Sequence, residues 1–466
     1  MNKYRTLAVN TIVFAIGSFG SKILSFFLNY LYTGNMDSSM YYTKEALEIT
    51  ANFLIPVVTF SITDAVIRYG LDRNYEKRSV FSNAIAVELF GILAFLLLSP
   101  LLLLYPDVRD HVPLLVGYVC ISAFRQLSTQ FARARGLVRL YAADGIFCTL
   151  MLFLFNLLFV GHLQWGVTGF MLAVMLSDLC SGTLVWLIAG HSRYFSFRFV
   201  DRELLQVMTR FSLPLIPTAL LWIVTGFSDR IFIRHMVDAA AAGVYGAAAK
   251  VPNLISMVST IFYQAWNMSA IAENDSEGRA KFYSQVYNAY QSLLVLAAGF
   301  LIALVKPFSS LINNTDLDAS YGTAYLFTPM LIVAVLLMCL NQFLSSIYTV
   351  SKHTANSFYT SLVAAALNLL FNALLIPKYG VHGAIAATFI SYFVCYVIRL
   401  FDARRYIPFA VSHLRFAVNL GLLFAMCAVA VNEPAWLIPF QAGAFLLLAA
   451  VNFRSLMDTA TKLLRR

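Results

Sequence analysis

Charge is what this sequence has least of. Aspartate, glutamate, lysine and arginine together make up 12% of 466 residues, where a soluble domain carries roughly a quarter. No stretch is polar for long enough to clothe a separately folding, water-soluble domain. Cysteine is scarce as well. The six (Cys120, Cys148, Cys180, Cys339, Cys395, Cys427) fall in apolar runs and none forms a CxxC pair. That excludes a disulfide framework or a thiolate metal site and leaves small buried apolar residues. No glycine-rich phosphate loop ending in Gly-Lys-Ser or Gly-Lys-Thr occurs, so ATP hydrolysis by that route is excluded. The zinc-protease helix motif and the serine-hydrolase elbow are missing too, and the seven histidines are scattered. The expectation is a chain with no cofactor, no metal and no enzymatic activity.

What fills the sequence instead is apolar residues, 60% of the total, with a mean hydropathy of +0.74. Runs of about 20 such residues follow one another, and each is long enough to cross a bilayer as a helix. Fourteen spans are drawn, with cores at 7–32, 45–69, 80–104, 112–133, 141–161, 167–190, 211–236, 242–271, 282–305, 323–350, 355–376, 382–401, 412–431 and 435–452. The first run is too long for a signal peptide and contains Asn29, so it is expected to remain as a span. The fold class is an all-α polytopic membrane protein.

The net charge of +10 follows the positive-inside rule and is no sign of nucleic-acid binding. Arg68, Arg73, Lys77 and Arg78, then Arg133, Arg135 and Arg139, then Arg193, Arg198, Arg202 and Arg210 gather on one side. Arg404, Arg405 and the basic tail join them, whereas Lys44, Arg109, Lys306 and Lys378 fall on the other. This distribution puts both termini in the cytoplasm.

An internal repeat is present. Gly166-Val167-Thr168-Gly169 with Ser177 recurs as Gly380-Val381-His382-Gly383 with Ser391, at an offset of 214. Laying the first span on the seventh puts Ser21-Lys22 on Asp229-Arg230, at an offset of 208. The expected organisation is a six-helix lobe over 1–200, a second over 201–410, and two further helices with a basic tail over 411–466. Six is even, so the halves share one orientation, the parallel-repeat plan of alternating-access carriers with the substrate site between the halves.

A charge at mid-bilayer costs about 2.5–3.5 kcal/mol on insertion scales, so it has to face a cavity, a partner or water. Arg125 lies deep in its span, beside Gln126, Thr129 and Gln130. Lys22, Arg230 and Lys250 complete an intramembrane basic set with two members from each half. Snorkelling competes for Lys22, and an inter-helix pair competes for Arg125. A cavity lined by such cations favours an anionic substrate, most simply a phosphate or pyrophosphate. Among the acids, Glu88 and Asp178 are candidates to pair with a cavity base or to bind a coupling proton. Asp64 and Arg68, spaced i, i+4, read as an ion pair on one helical face.

The run Leu367-Asn368-Leu369-Leu370-Phe371-Asn372, continuing through Ile376-Pro377-Lys378-Tyr379-Gly380-Val381-His382-Gly383-Ala384-Ile385-Ala386-Ala387-Thr388, resembles a stretch of the Wzx-type polysaccharide flippases. These belong to the multidrug/oligosaccharidyl-lipid/polysaccharide (MOP) exporter superfamily. Gly243-Val244-Tyr245-Gly246-Ala247-Ala248-Ala249-Lys250 and Ser228-Asp229-Arg230-Ile231-Phe232-Ile233 resemble further segments of the same family. The resemblance implies a MATE/MOP-like fold in the bacterial inner membrane. It implies movement of an undecaprenyl-diphosphate-linked oligosaccharide from the inner to the outer leaflet, with Arg125, Arg230, Lys250 and Lys22 holding the pyrophosphate. Partners would be the polyprenyl-linked sugar, the lipid bilayer, and a polysaccharide polymerase or glycosyltransferases. A lipid II flippase, a MATE-type cation or drug antiporter and a non-transporting scaffold are the alternatives. The first span holds Lys22 and no acid between Thr6 and Asn35, which counts against the antiporter.

Overall fold

The computed structural model describes residues 7–15, 24, 27–28, 31–32, 34–36, 38–105, 108–273, 278–313 and 322–464. All regular structure among them is helical. The chain divides into two compact units, residues 9–220 and residues 221–466 together with 1–8.

In the N-terminal unit the helices are α1 (Ser38–Val58), α2 (Ile62–Gly70), α3 (Lys77–Leu98), α4 (Val112–Ala134), α5 (Val138–Asn156) and α6 (Gly166–Ala189). The amphipathic α7 (Arg202–Ser212) follows, capped by Asp201, whose side chain accepts from the Glu203 amide at 2.9 Å. α1 and α2 are separated by a break at 59–61 and bent by 55°. α4 and α6 cross so closely that a Cβ on Gly182 would lie 2.8 Å from the Phe124 ring and 3.1 Å from the Arg125 Cα. Only glycine permits that approach.

The C-terminal unit takes most of α8 (Leu215–Met236), then α9 (Ala239–Ala248), α10 (Asn253–Ala272), α11 (Arg279–Ala303) and α12 (Val305–Asn313). It ends with α13 (Ala324–Val350), α14 (Thr354–Tyr379), α15 (Val381–Tyr406), α16 (His413–Asn432) and α17 (Leu437–Leu464). α16 and α17 pack on each other and on α11, inside this unit.

The repeated glycine motif has the same physical job in both units. A Cβ on Gly169 would lie 3.0 Å from the Phe159 carbonyl oxygen. A Cβ on Gly383 would lie 2.4 Å from that of Leu375. In each case the second helix starts by pressing its glycine against the end of the first. Gly166 and Gly380 supply the positive φ, 53° and 55°, that turns the chain between them.

Eleven described helices are long and apolar enough to span a membrane, or twelve counting the bent pair, so the protein is a multi-pass membrane protein. Fourteen were expected. Of the first expected span, 7–15 is helical, and 16–23, 25–26 and 29–30 lie outside the described residues. The eighth, 242–271, is two helices separated by a turn at 249–252 that contains Lys250 and Pro252. Proline cannot donate to a helical ladder, and it begins α10 there.

Candidate functional site

The N-terminal unit lines an open cavity of about 450 Å³. Its walls follow from helical spacing. α1 contributes Lys44, Glu48, Asn52 and Ile55, which share one face at intervals of three and four residues. α4 supplies Tyr118, Ser122, Arg125 and Gln126, α5 supplies Cys148 and Thr149, and α6 supplies Phe170, Ser177 and Asp178. Tyr32 closes one side.

Arg125 is tied to two carboxylates. Its Nη2 lies 3.1 Å from Asp144 Oδ2 and its Nη1 lies 3.7 Å from Asp178 Oδ1. Its Nε donates to Ser181 Oγ at 2.7 Å, and the Ser181 hydroxyl donates onward to Asp144. Asp178 also receives the Ser122 hydroxyl and, at 3.5 Å, the Cys148 thiol. The Arg125 side chain keeps 27% of its surface open, whereas that of Asp144 is buried. A partly desolvated Arg flanked by two acids and two hydroxyls is held in one orientation, and removing either acid leaves charge uncompensated.

Lys44 forms the second charged pair. Sequence patterning placed it in an outer loop, but α1 begins at Ser38 and carries it into the cavity wall, 7% exposed. Its Nζ lies 2.7 Å from Glu48 Oε2 and about 5 Å from the ring centres of Tyr32 and Phe170. Cation–π attraction to two rings and an i, i+4 carboxylate explain how an ammonium is kept there. Nothing in the sequence marked Lys44 except that spacing to Glu48. Asp144 was missed for a similar reason, since its partner Arg125 is on another helix.

The other residues singled out in the sequence are dispersed. Arg230 and Lys250 are exposed on the C-terminal unit, and Arg230 lies along Gly246, whose added Cβ would sit 3.8 Å from the guanidinium carbon. Lys22 lies outside the described residues. The i, i+4 partner shown for Arg68 is Asp72, at 3.1 Å, and not Asp64. Both acids are one turn from Arg68, but Asp72 lies just beyond the end of α2 and is buried with it, whereas Asp64 is exposed. Glu88 is 4% exposed and its Oε2 has no hydrogen-bond partner.

The C-terminal unit holds a polar centre that sequence reasoning did not assemble. Asp229 Oδ2 accepts from Tyr245 and Thr388, both at 2.5 Å, and Oδ1 accepts from Asn372 at 2.7 Å and Asn368 at 3.2 Å. Four neutral donors from α9, α14 and α15 thus hold one buried carboxylate on α8. In the same unit Arg399 is fully buried. It donates to Thr360 Oγ1 and the Asn341 carbonyl at 2.9 Å and to Ser361 Oγ at 2.8 Å.

Comparison with known proteins agrees with this architecture. Residues 7–267 match the family model described as "Polysaccharide biosynthesis protein". No curated protein matches the sequence. Among solved structures, the chain is similar to a multidrug resistance MATE family transporter of the MOP superfamily in an outward-facing conformation. That pair has 14% identity and a TM-score of 0.73, covering 88% of this chain and 96% of that one. A MOP superfamily transporter from Pyrococcus furiosus is described as having a binding pocket of reverse polarity. It has 12% identity and a TM-score of 0.72, with 86% and 96% covered. The Vibrio cholerae MATE transporter VcmN gives the same identity, TM-score and coverage. These likenesses establish the fold, and the family match covers more than half of the chain: the protein is a multi-pass membrane protein with the fold seen in MATE transporters, and it belongs to the polysaccharide biosynthesis protein family.

Proposed function

We infer that the protein is a flippase that moves an undecaprenyl-diphosphate-linked oligosaccharide from the inner to the outer leaflet of the bacterial inner membrane, for surface polysaccharide synthesis. Both termini are cytoplasmic on this reading. The observation that carries it is the N-terminal cavity, read together with the family match. Its wall mixes aromatic rings (Tyr32, Tyr118, Phe170) with amides and hydroxyls (Asn52, Gln126, Ser122, Thr149, Ser177). Rings suit the apolar faces of sugars, and amides and hydroxyls suit their OH groups. Arg125 lines this cavity and is the proposed holder of the pyrophosphate there; Arg230 and Lys250 do not line it, and Lys22 lies outside the described residues. Arg125 reaches an anion only when Asp144 or Asp178 releases it, by protonation or by movement. Held this way, the substrate is bound with moderate affinity and released on the far side. The driving force is an ion gradient, the membrane potential or the substrate gradient, and a polymerase or glycosyltransferase takes up the product.

The test is headgroup translocation in proteoliposomes. Undecaprenyl-diphosphate oligosaccharide in one leaflet is followed by its exposure to a membrane-impermeant glycosidase. Exposure that needs the wild-type protein and is lost in folded Arg125→Ala is the expected result. Normal exposure with Arg125→Ala removes Arg125 from the mechanism, and no wild-type exposure under any imposed pH gradient or potential overturns the lipid-sugar assignment.

A further inference from the structure

Two features that the substrate cavity does not use meet at one level of the N-terminal unit. The first is the break between α1 and α2. Phe60 and Ser61 both take the left-handed conformation, with φ of 51° and 47°. For residues with a side chain that conformation costs about 1–2 kcal/mol each. Local hydrogen bonds, Ser61 N to the Pro56 carbonyl at 2.9 Å and Ile62 N to that of Thr59 at 3.0 Å, hold the break.

The second is the buried stripe of α3: Ala84, Glu88, Gly91 and Phe95. Ala84 belongs to the apolar cluster of Ile62, Ala65 and Val66 on α2. Phe95 belongs to the cluster that includes Val58 on α1. Glu88 and Gly91 fall between them, level with the break. Gly91 meets it directly, since a Cβ there would lie 1.9 Å from the Val58 carbonyl oxygen and 3.2 Å from the Phe60 ring. Glu88, one turn away on the same face, is buried with an unpartnered Oε2. It lies eleven residues from Lys77, about 16 Å along the helix and hence well inside the membrane.

We propose that Glu88 is a proton-binding site that sets the geometry of the α1–α2 break, so that loading and unloading one proton bends this span between two states. A neutral carboxyl is tolerated in apolar surroundings, whereas a carboxylate there demands donors. At the break the Thr59 amide and hydroxyl both donate to the Ile55 carbonyl, at 2.9 and 2.8 Å, and the Ser61 amide bonds the Pro56 carbonyl five residues back, so a carboxylate at Glu88 gains donors from the break only by drawing them out of these bonds, which changes the bend. The titratable neighbour on α4 is Cys120. On α1, Lys44, Glu45 and Glu48 lie three turns or more from the break, with Lys44 and Glu48 paired to each other. On α2, Asp64 is exposed and Arg68 pairs with Asp72. α7 packs on α2 and α3 through Leu204, Met208 and Phe211, and its charged residues Arg202, Glu203 and Arg210 lie on its exposed face. No ion pair is shown for Glu88 among the described residues, so its charge changes only by gaining or losing a proton.

The binding half of this proposal stands without any substrate; the coupling half rests on the flippase reading. The binding half is tested by infrared difference spectra of the wild type between acid and alkaline buffer. A protonated-carboxyl band that Glu88→Gln removes and Glu88→Asp restores at a shifted pH is expected. The geometry is read from spin labels placed on α1 and α2 on either side of the break, whose separation should follow the same titration and stop responding in Glu88→Gln. A band or separation that titrates identically in Glu88→Gln overturns the proposal. In the translocation assay, Glu88→Gln should flip substrate at one rate with and without a pH gradient. Stimulation equal to wild type overturns the coupling, and a titrating band in a protein that flips nothing leaves proton binding intact while removing the flippase reading.

Discussion

Arg125 Nη2 lies 3.1 Å from Asp144 Oδ2 across two helices, with Ser181 bonded to both side chains. Breaking such a pair from one side is worse than removing it whole. Asp144→Leu is expected to lower stability by about 2–3 kcal/mol, discounted from the fully buried case because Arg125 is partly open. Arg125→Leu combined with Asp144→Leu should recover part of that loss. Thermal unfolding in detergent checks both, and a double variant less stable than either single one contradicts the pairing.

Asp229 satisfies Tyr245, Thr388, Asn368 and Asn372 at once. Asp229→Ala takes the acceptor from the Tyr245 and Thr388 hydroxyls, while Asn368 and Asn372 keep bonds to Thr388 and Asn368; at about 1–3 kcal/mol for each donor left buried, it is expected to reduce accumulation of folded protein strongly. Tyr245→Phe removes one donor and leaves three, so a loss of about 1 kcal/mol is expected. Expression level and denaturation midpoint separate these two outcomes.

The turn after α6 sets a pH dependence. His191 is fully buried against Phe81, Phe131 and Trp186, and donates from Nε2 to the Ser128 carbonyl at 2.9 Å. Burial pushes its pKa down from 6.5 to about 4, with Arg135 adding to the effect. The unfolded chain therefore binds a proton below about pH 6.5 that the folded chain refuses until about pH 4. The stabilisation is complete at neutral pH and is lost as pH falls through that window, by about 2 kcal/mol at about pH 5. His191→Gln should flatten the stability profile between neutral and mildly acid buffer, and an unchanged profile would remove His191 as its source.

Gly383→Ala drives a methyl against the Leu375 carbonyl, while Gly226→Ala meets open space. The first is expected to cost about 1–3 kcal/mol by overpacking, and the second to stabilise by up to about 1 kcal/mol, because Gly226 lies in the interior of α8. Melting temperatures of the two variants decide it.

The spans and the duplicated glycine turn were legible in the sequence because length, hydropathy and a Gly-Val-x-Gly spacing are local signals. The eighth span misled because its apolar content continues through Lys250-Val251-Pro252, where the backbone turns. Arg125 stood out as a charge in an apolar run, but Asp144 and the aromatic surroundings of Lys44 depend on which helices touch. Arg68 shows the same limit at short range: Asp64 and Asp72 are equally spaced from it, and only the helix end chooses between them.

The polar centre of the C-terminal unit also dictates an order in time. Asp229 is synthesised 143 residues before Asn372 and 159 before Thr388. At about 5–20 residues per second, Tyr245 follows within about 3 s, whereas the α14 and α15 donors follow by roughly 7–30 s. Arg399 is in the opposite position: Asn341, Thr360 and Ser361, which accept from it, have all left the ribosome before it. During biogenesis α8 must therefore wait, with its carboxylate in contact with water or another protein, until α14 and α15 arrive.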